Sequence, residues 1–441
     1  MTFVLALLAA VALPAWASLV IVVPLLMTLS FSGTLLPLQS TGGNDLQAYD
    51  VVTIVAAFKL ASAVLLRGGT LVLHRVHAAL LLFLGVLTAA TILAQLRFGT
   101  AFFRAELTPL LRFAMQAVAL AFFLPQALQE RQFPLLRRTL DVLGYLMALP
   151  IFVGILFLGT GLNVGEVHGV RTFGFVGDQV GFVLALYVLW HLIARNYLRA
   201  MFFALAILAT GTRGALLAVL VGVLVVAIQR RRLGGRRVRL RTVVGVPLAL
   251  LAVMFATDLG GTRTRLTGRS VGRGSNVHQR LLTQRLGVEL FAENPLVGVG
   301  YTGYRLRVIE QGAIARFVRE LGFYVPNVTS NAGNQIVQTA ADAGVPGLAA
   351  LGLLFFQLLR ALQAAAREAD PATAELLFAA YFWLWGLIVG NQGAAWLLPG
   401  SFISYLLWVC AAVAVVTLRA RRVPAAAPAA PRPSLQPAGA G

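Results

Sequence analysis

Hydrophobic residues fall in long blocks along this chain, and short polar joints separate the blocks. Apolar runs cover 51–66, 78–94, 107–124, 140–158, 177–193, 200–210, 215–227, 243–256, 335–359, 374–389 and 402–418. With a first block at 3–36 they predict an all-α, polytopic membrane protein of about twelve transmembrane helices, since a span needs roughly 20 apolar residues. The first block is too long for one straight span, so Pro14 and Pro24 mark either a kinked helix or a tight hairpin. Its opening, MTFVLALLAAVALPAWAS, imitates a signal peptide with Ala-Trp-Ala at the cleavage position. It lacks a basic leader and stays apolar to Leu36, which reads as a span that is retained. The block at 200–210 is short for a bilayer, and either extends past its apolar run or meets the next helix where the bilayer thins.

One long polar stretch interrupts the blocks, from Asp258 to Gly347. Asn276 is placed to cap a helix that runs to Glu293 and stops before Pro295. A second helix over 304–321 would put Ile309, Ile314, Phe317, Val318 and Leu321 on one face and Arg305, Arg316 and Arg319 away from it. The GVGYTG between them reads as a glycine hinge. Two such amphipathic helices beside a bilayer lie along its surface or pack on the bundle. The chain then re-enters an apolar helix that carries Asn334, Gln338 and Asp342 at i, i+4, i+8, on one face. Polar residues inside a membrane helix mark function first, with interhelical hydrogen bonding as the plain alternative. Ser330 and Asn331 are candidate caps for this helix, and Pro346 should kink it near Gly344. The resulting division is a bundle over 1–257, a loop domain over 258–333, further membrane helices over 334–422 and a disordered Pro/Ala-rich tail over 423–441.

Composition agrees with this picture: 59% of residues are hydrophobic and 12% charged. The net charge of +20 changes it, because the basic residues lie between membrane segments. Phosphate-bearing lipids and pyrophosphates, not nucleic acid, are the partners such a placement suits. Residues 229–241, QRRRLGGRRVRLR, contain no acid and are cytoplasmic by the positive-inside rule. Arg131, Arg137, Arg138, Arg195, Arg199, Arg360, Arg367, Arg419, Arg421 and Arg422 then fall on the same side, while Arg97 and Arg104 fall opposite and count against the assignment. The loop over 258–333 becomes external, although up to Gly333 it holds ten arginines against five acids. The rule weakens for loops above roughly 60 residues, so the charge there suggests a use, namely binding an anion.

Candidate chemistry is sparse. Arg213 sits in ATGTRGALL at the junction of two apolar runs, flanked by glycines that let a ligand approach the backbone. Arg171 and Asp178 share a short external loop, and His168 and His278 are loop histidines able to act as bases. Lys59, the only lysine, lies mid-span and needs an acid or a watery cavity. Cys410 is the only cysteine and excludes an intramolecular disulfide or a multi-cysteine metal site. No metal-ligand spacing or P-loop is visible, so no cofactor is expected.

Four segments, in order, resemble the superfamily of O-antigen ligases and O-antigen polymerases. RTFGFVGDQVG resembles its Arg-x-x-Gly-x-x-Gly-Asp segment, and TGTRGALLAVLVGVL its Ser-x-Ser-Arg-Gly-Ala segment. NVHQRLLTQRLGVELFAENPLVGVGYTGY is similar to its helix followed by Asn-Pro-Leu-x-Gly-x-Gly. GNQIVQTAADAGVPGLAALGLL resembles its His-Asn-x-x-Leu-Gln-x-x-x-Glu-x-Gly segment. The resemblance implies an enzyme at the periplasmic face of the bacterial inner membrane. It would take a glycan from an undecaprenyl pyrophosphate carrier and pass it to a carrier-linked glycan or to lipid A–core. It implies Arg213 as the functional arginine and a second one in the large loop, for which Arg280 and Arg285 are the candidates beside Arg171. Asn334, Gln338 and Asp342 match, the last in place of the glutamate, but the family histidine falls on Gly333. That departure favours a polymerase of surface polysaccharide over a ligase. A transporter or flippase of lipid-linked sugars is the rival from another class. It calls for ionisable residues at mid-membrane, and only Lys59 fits.

The arginine bias generates the first prediction. On a Cys410→Ser background, Ser275→Cys should react with an impermeant thiol reagent in intact spheroplasts and Gly235→Cys should not. The reverse pattern would overturn the orientation.

Overall fold

A computed structural model describes residues 2–31, 48–66, 73–158, 177–210, 213–229, 245, 276–321, 332–390, 396–397 and 401–421. The expected span at 243–256 and the tail over 423–441 thus lie outside the described residues. Among the described residues every regular element is helical. Five helices there are long and apolar enough to cross a membrane, namely Arg75–Phe98, Leu107–Ala127, Gln335–Glu368, Pro371–Gly390 and Phe402–Ala420. Shorter apolar helices include Val180–Ile193, Tyr197–Leu208 and Gly214–Val226.

The first block is broken at Leu13 and Pro14. It runs as Thr2–Ala12, pauses at Leu13 and Pro14, and resumes over 15–31 through a π-helical turn at Ser18–Val22. The break has a clear cause. Pro14 has no amide hydrogen, so the carbonyl of Ala10 loses its i+4 donor. Lys59, on helix Ala48–Leu66, fills the gap. Its ammonium donates to the carbonyls of Ala10 (3.1 Å), Val11 (2.9 Å) and Leu13 (2.7 Å). The partner is therefore neither an acid nor a watery cavity but the negative end of a helix dipole. Three donors meet three orphan acceptors, which removes the main cost of a lysine at this depth.

Helices 213–229 and Pro371–Gly390 pack through small residues. A Cβ on Gly386 would lie 2.3 Å from the Ala218 carbonyl oxygen, and one on Gly390 2.9 Å from the Ala218 nitrogen. On the facing helix, Gly214 and Gly222 make room for Phe182 and Leu189 of Gly177–Ile193. Lipid tails offer no hydrophobic gain for helix association, so such close backbone packing supplies the van der Waals contact that holds spans together. Trp383 adds a hydrogen bond from its indole to the Phe182 carbonyl (2.7 Å).

Two contacts define the ends of the bundle. At one end the Arg421 guanidinium caps the carbonyl of Glu368, and Arg137 pairs with Asp370. At the other, Gln335 binds the backbone of Trp396 and Leu397. The helices Arg213–Gln229 and Gln335–Glu368 both begin at that second end, since Gly214 lies beside Gly390.

Lys59→Met should lower thermal stability in detergent, because three carbonyls lose their donor at once and each left without a partner away from water costs about 1–3 kcal/mol. Lys59→Arg should recover most of the loss. An unchanged melting temperature in Lys59→Met would show that water replaces the ammonium.

Candidate functional site at the break in helix 335–368

The site starts from the second proline break. Pro346 cannot donate to the Asp342 carbonyl, and Gly344 turns out of the helix at φ +62, ψ −156. That turn strands the carbonyls of Ala341 and Asp342 and the amide of Val345. Residues 294–304, NPLVGVGYTGY, satisfy all three. Val299 N–H donates to the Ala341 carbonyl (2.9 Å), Gly300 N–H donates to the Asp342 carbonyl (2.9 Å), and Val345 N–H donates to the Pro295 carbonyl (2.8 Å). The approach needs bare backbone on both sides. A Cβ on Gly298 would lie 2.3 Å from the Asp342 carbonyl carbon, and one on Gly344 would lie 2.5 Å from the Pro295 oxygen. The GVGYTG segment is therefore a clasp on the broken helix, which corrects the expectation of a hinge.

The polar stripe lies inside this clasp. Asp342 and Gln338 are each only 2% exposed. The Asp342 carboxylate accepts from Gln338 Nε2 (2.9 Å) and from the backbone amides of Thr302 and Tyr304. Thr302 sits at φ +61, a strained position for a β-branched residue that these bonds help to hold. Gln338 Oε1 accepts from the Ala332 amide (2.7 Å), tying the chain that enters the helix to its break. Asn334 is itself the N-cap, its Oδ1 accepting from Ile336 (2.8 Å) and Val337 (3.3 Å). The expected caps Ser330 and Asn331 lie outside the described residues. Before the cap, Gly333 takes φ +68, and a Cβ there would come 3.2 Å from Thr283 Oγ1.

The loop helices build a small core on this helix start. Asn276–Glu293 has the expected bounds. The predicted helix over 304–321 is instead two, Gly303–Glu310 and Ala313–Leu321, broken where Gly312 adopts φ +64. Leu282, Leu286, Leu290, Val299, Tyr304, Val308, Ala313, Ala332 and Ala341 are buried together. Ile309, expected on the buried face, is 46% exposed. Gly287 lets the first loop helix rest on Val337, where a Cβ would find Cγ1 at 2.5 Å.

The domain is docked on helix Arg75–Phe98. Thr91 Oγ1 accepts from the Tyr301 amide (3.1 Å), and Arg97 donates to the Asn294 side-chain oxygen. Arg97 and Arg307 both lie over the Phe98 ring, at 5.2 and 4.5 Å from its centroid. Arg97, which counted against the charge rule, is thus a docking residue.

Several loop arginines hold the domain together. Glu289 bridges Arg285 (2.9 Å) and Arg316 (2.9 Å), and Arg307 pairs with Glu310 (2.8 Å). Partial burial pushes the Glu289 carboxyl up, but the hydrogen bonds from Arg316 and Arg285 outweigh it and leave it below the ordinary glutamate value. A depressed folded pKa means that the bridge contributes above the unfolded value and is lost as pH falls through the folded one. Arg280 lies one turn before Thr283, whose hydroxyl donates to the Arg280 carbonyl (2.9 Å), and so stands near Gly333. Arg213 opens its helix at the same end of the bundle. Its side chain lies outside the described part of the structure, as do Arg171, His168 and the side chains of His278 and of Asp178, which stands in the first turn of helix Gly177–Ile193.

The sequence reading missed two features of this region. Gln335 Oε1 accepts from the amides of Trp396 (2.8 Å) and Leu397 (2.7 Å), which fixes the 396–397 segment against the helix start. Arg112, buried, pairs with Asp50 at 2.8 Å and donates to the Tyr49 hydroxyl (2.8 Å), while the adjacent Phe113 stacks on Tyr301 at 5.7 Å. An arginine within an apolar run, with an acid at the start of another, was the available signal.

Residues 198–352 match the family model of the O-antigen ligases. The match spans helix 213–229, the clasp and the break in helix 335–368, so this part of the chain is similar to the O-antigen ligases. No curated protein matches the chain. The family indicates glycan transfer of ligase or polymerase type in general, with a lipid-linked glycan and an acceptor as substrates. With the apolar helices it indicates a membrane protein.

Asp342 accepts three hydrogen bonds in a closed setting, so its first effect is to position the clasp. Asp342→Asn should strand a donor at a cost of about 1–3 kcal/mol, lower the melting temperature and speed proteolysis within 294–312. Lost transfer with unchanged melting and proteolysis would assign the carboxylate a chemical role instead.

Proposed function

We propose that the protein is an inner-membrane glycosyltransferase that lengthens a surface polysaccharide at the periplasmic face. Its donor is a glycan on undecaprenyl pyrophosphate and its acceptor is another carrier-linked glycan. The acceptor hydroxyl attacks the anomeric carbon, the bond from that carbon to the pyrophosphate oxygen breaks, and the carrier pyrophosphate departs with the bonding electrons. The hydroxyl proton passes to a base, and the configuration inverts. Arg213 is the group that meets the charge growing on the departing oxygens, with Arg171, Arg280 and Arg285 as further phosphate contacts. Asn334 begins the helix whose positive end faces the same region, and Gln338 and Asp342 keep that helix start in register with the loop domain. Arginine performs the charge neutralisation that a divalent cation performs in other transferases.

The observation that carries this reading is that Arg213, the Asn-Pro-Leu clasp and the capped helix start, far apart in sequence, share one end of the bundle. We further propose that this end is external, that about twelve spans cross the membrane, and that 258–333 forms the external domain between a bundle over 1–257 and the helices over 334–422. Gly333 favours polymerisation over ligation to lipid A–core. Its positive φ and the nearby Thr283 suit a residue without a side chain, where a ligase of this type would carry histidine.

The test is a gel ladder of carrier-linked and lipid-A-linked glycan. Arg213→Ala and Arg213→Lys should both abolish detectable polymer while the protein still accumulates, because lysine keeps the charge and loses the planar fork. Removing one such contact typically costs about 10²–10³ in rate. Polymer should persist in EDTA. Normal polymer from Arg213→Ala, or activity that EDTA removes and magnesium restores, would defeat the arginine mechanism.

A further inference from the structure

At the opposite end of the bundle from this site lies a cavity of about 920 Å³ with a basic lining. It is formed by the start of helix Arg75–Phe98, the last third of helix Gln335–Glu368 and the end of helix Phe402–Ala420. Its size is within the range of pockets that hold a small-molecule ligand and far beyond one water. Arg75, Arg360 and Arg421 line it with His74 and Gln357, against one acid, Glu368. Arg421 caps the Glu368 carbonyl at 3.1 Å. Among the described residues Arg75 and Arg360 have neither a hydrogen-bond nor an ion-pair partner. Arg360 is also set inward. It lies eight residues, about 12 Å, short of the helix end at Glu368.

Among the described residues no acid pairs with Arg75 or Arg360, and both line the cavity. We infer that this cavity binds a phosphate-bearing anion whose oxygens bridge Arg75 and Arg360. Guanidinium forks match phosphate oxygens two at a time. His74 lines the cavity too, its Nδ1 accepting from the Val76 amide (3.3 Å). Gln357 offers an amide to ester or glycerol oxygens. The class of ligand is a phosphate monoester or diester, delivered either by the head group of an anionic membrane lipid or as free phosphate. The site makes no use of Arg213 or the clasp, so it stands or falls apart from the transfer reaction.

The experiment uses full-length protein in detergent with Arg75→Gln, Arg360→Gln and the double variant. Ala364→Trp serves as a fourth variant that fills the cavity and keeps its charges. Native mass spectrometry reads retention of added phosphatidylglycerol, cardiolipin or phosphatidylcholine, and thermal unfolding is followed with and without inorganic phosphate. The wild type should retain the anionic lipids in preference to phosphatidylcholine, and each variant should weaken that retention by about tenfold or more, the cost of a lost charge-assisted contact. Protection by inorganic phosphate in the wild type alone, without lipid selectivity, would support the same site with free phosphate as its ligand. If the double variant does not accumulate, Ala364→Trp decides the matter. Equal lipid retention and equal phosphate response in wild type and Ala364→Trp would overturn the site.

Discussion

The structure depends on an exchange of main-chain hydrogen bonds at Gly344. A helix inside a membrane has no water to satisfy a broken turn, so each stranded backbone group must find protein. Pro346 and Gly344 break the helix, and 294–304 supplies the two amides and one carbonyl that the break requires. Neither segment is tolerable alone. The loop domain is therefore part of the membrane fold, and the docking of Tyr301, Arg97 and Arg307 follows from where the clasp must sit.

The same logic operates at Pro14, with a different donor. There the missing amide is replaced by a lysine reaching across from the next helix. Both breaks place a cationic or amide donor against orphan carbonyls, and both explain a residue that looks out of place in its apolar surroundings. The consequence differs. Lys59 closes its break with a flexible side chain, whereas the clasp closes the other with a folded segment that carries further residues into the site.

Much of the fold was legible because length and hydrophobicity determine a membrane span. The bounds of 276–293, stopped before Pro295, and the start of the helix at Gln335 match the polar and apolar pattern, which acts locally. The second loop helix was misread because Gly312 can take a left-handed turn that no periodicity announces. The glycines of GVGYTG signalled freedom, yet they serve close approach, and only the partner backbone distinguishes the two uses. For the site, spacing placed Gln338 and Asp342 together, and they are bonded. It could not show that Asn334 is engaged as a cap, that Glu289 takes up Arg285, or that Arg112 and Asp50 meet across helices.

The close packing of Ala218 against Gly386 and Gly390 has a mechanical meaning for Arg213. With no side chains between those backbones, the two helices can neither slide nor roll without a clash. Helix 213–229 behaves as a rail bolted to its neighbour, and Arg213 stands at the tip of that rail. Its α-carbon is fixed by steric contact five residues away. Under the proposed mechanism that fixed position sets how far the arginine can reach, so substrates would be sorted by whether their phosphate falls within that radius.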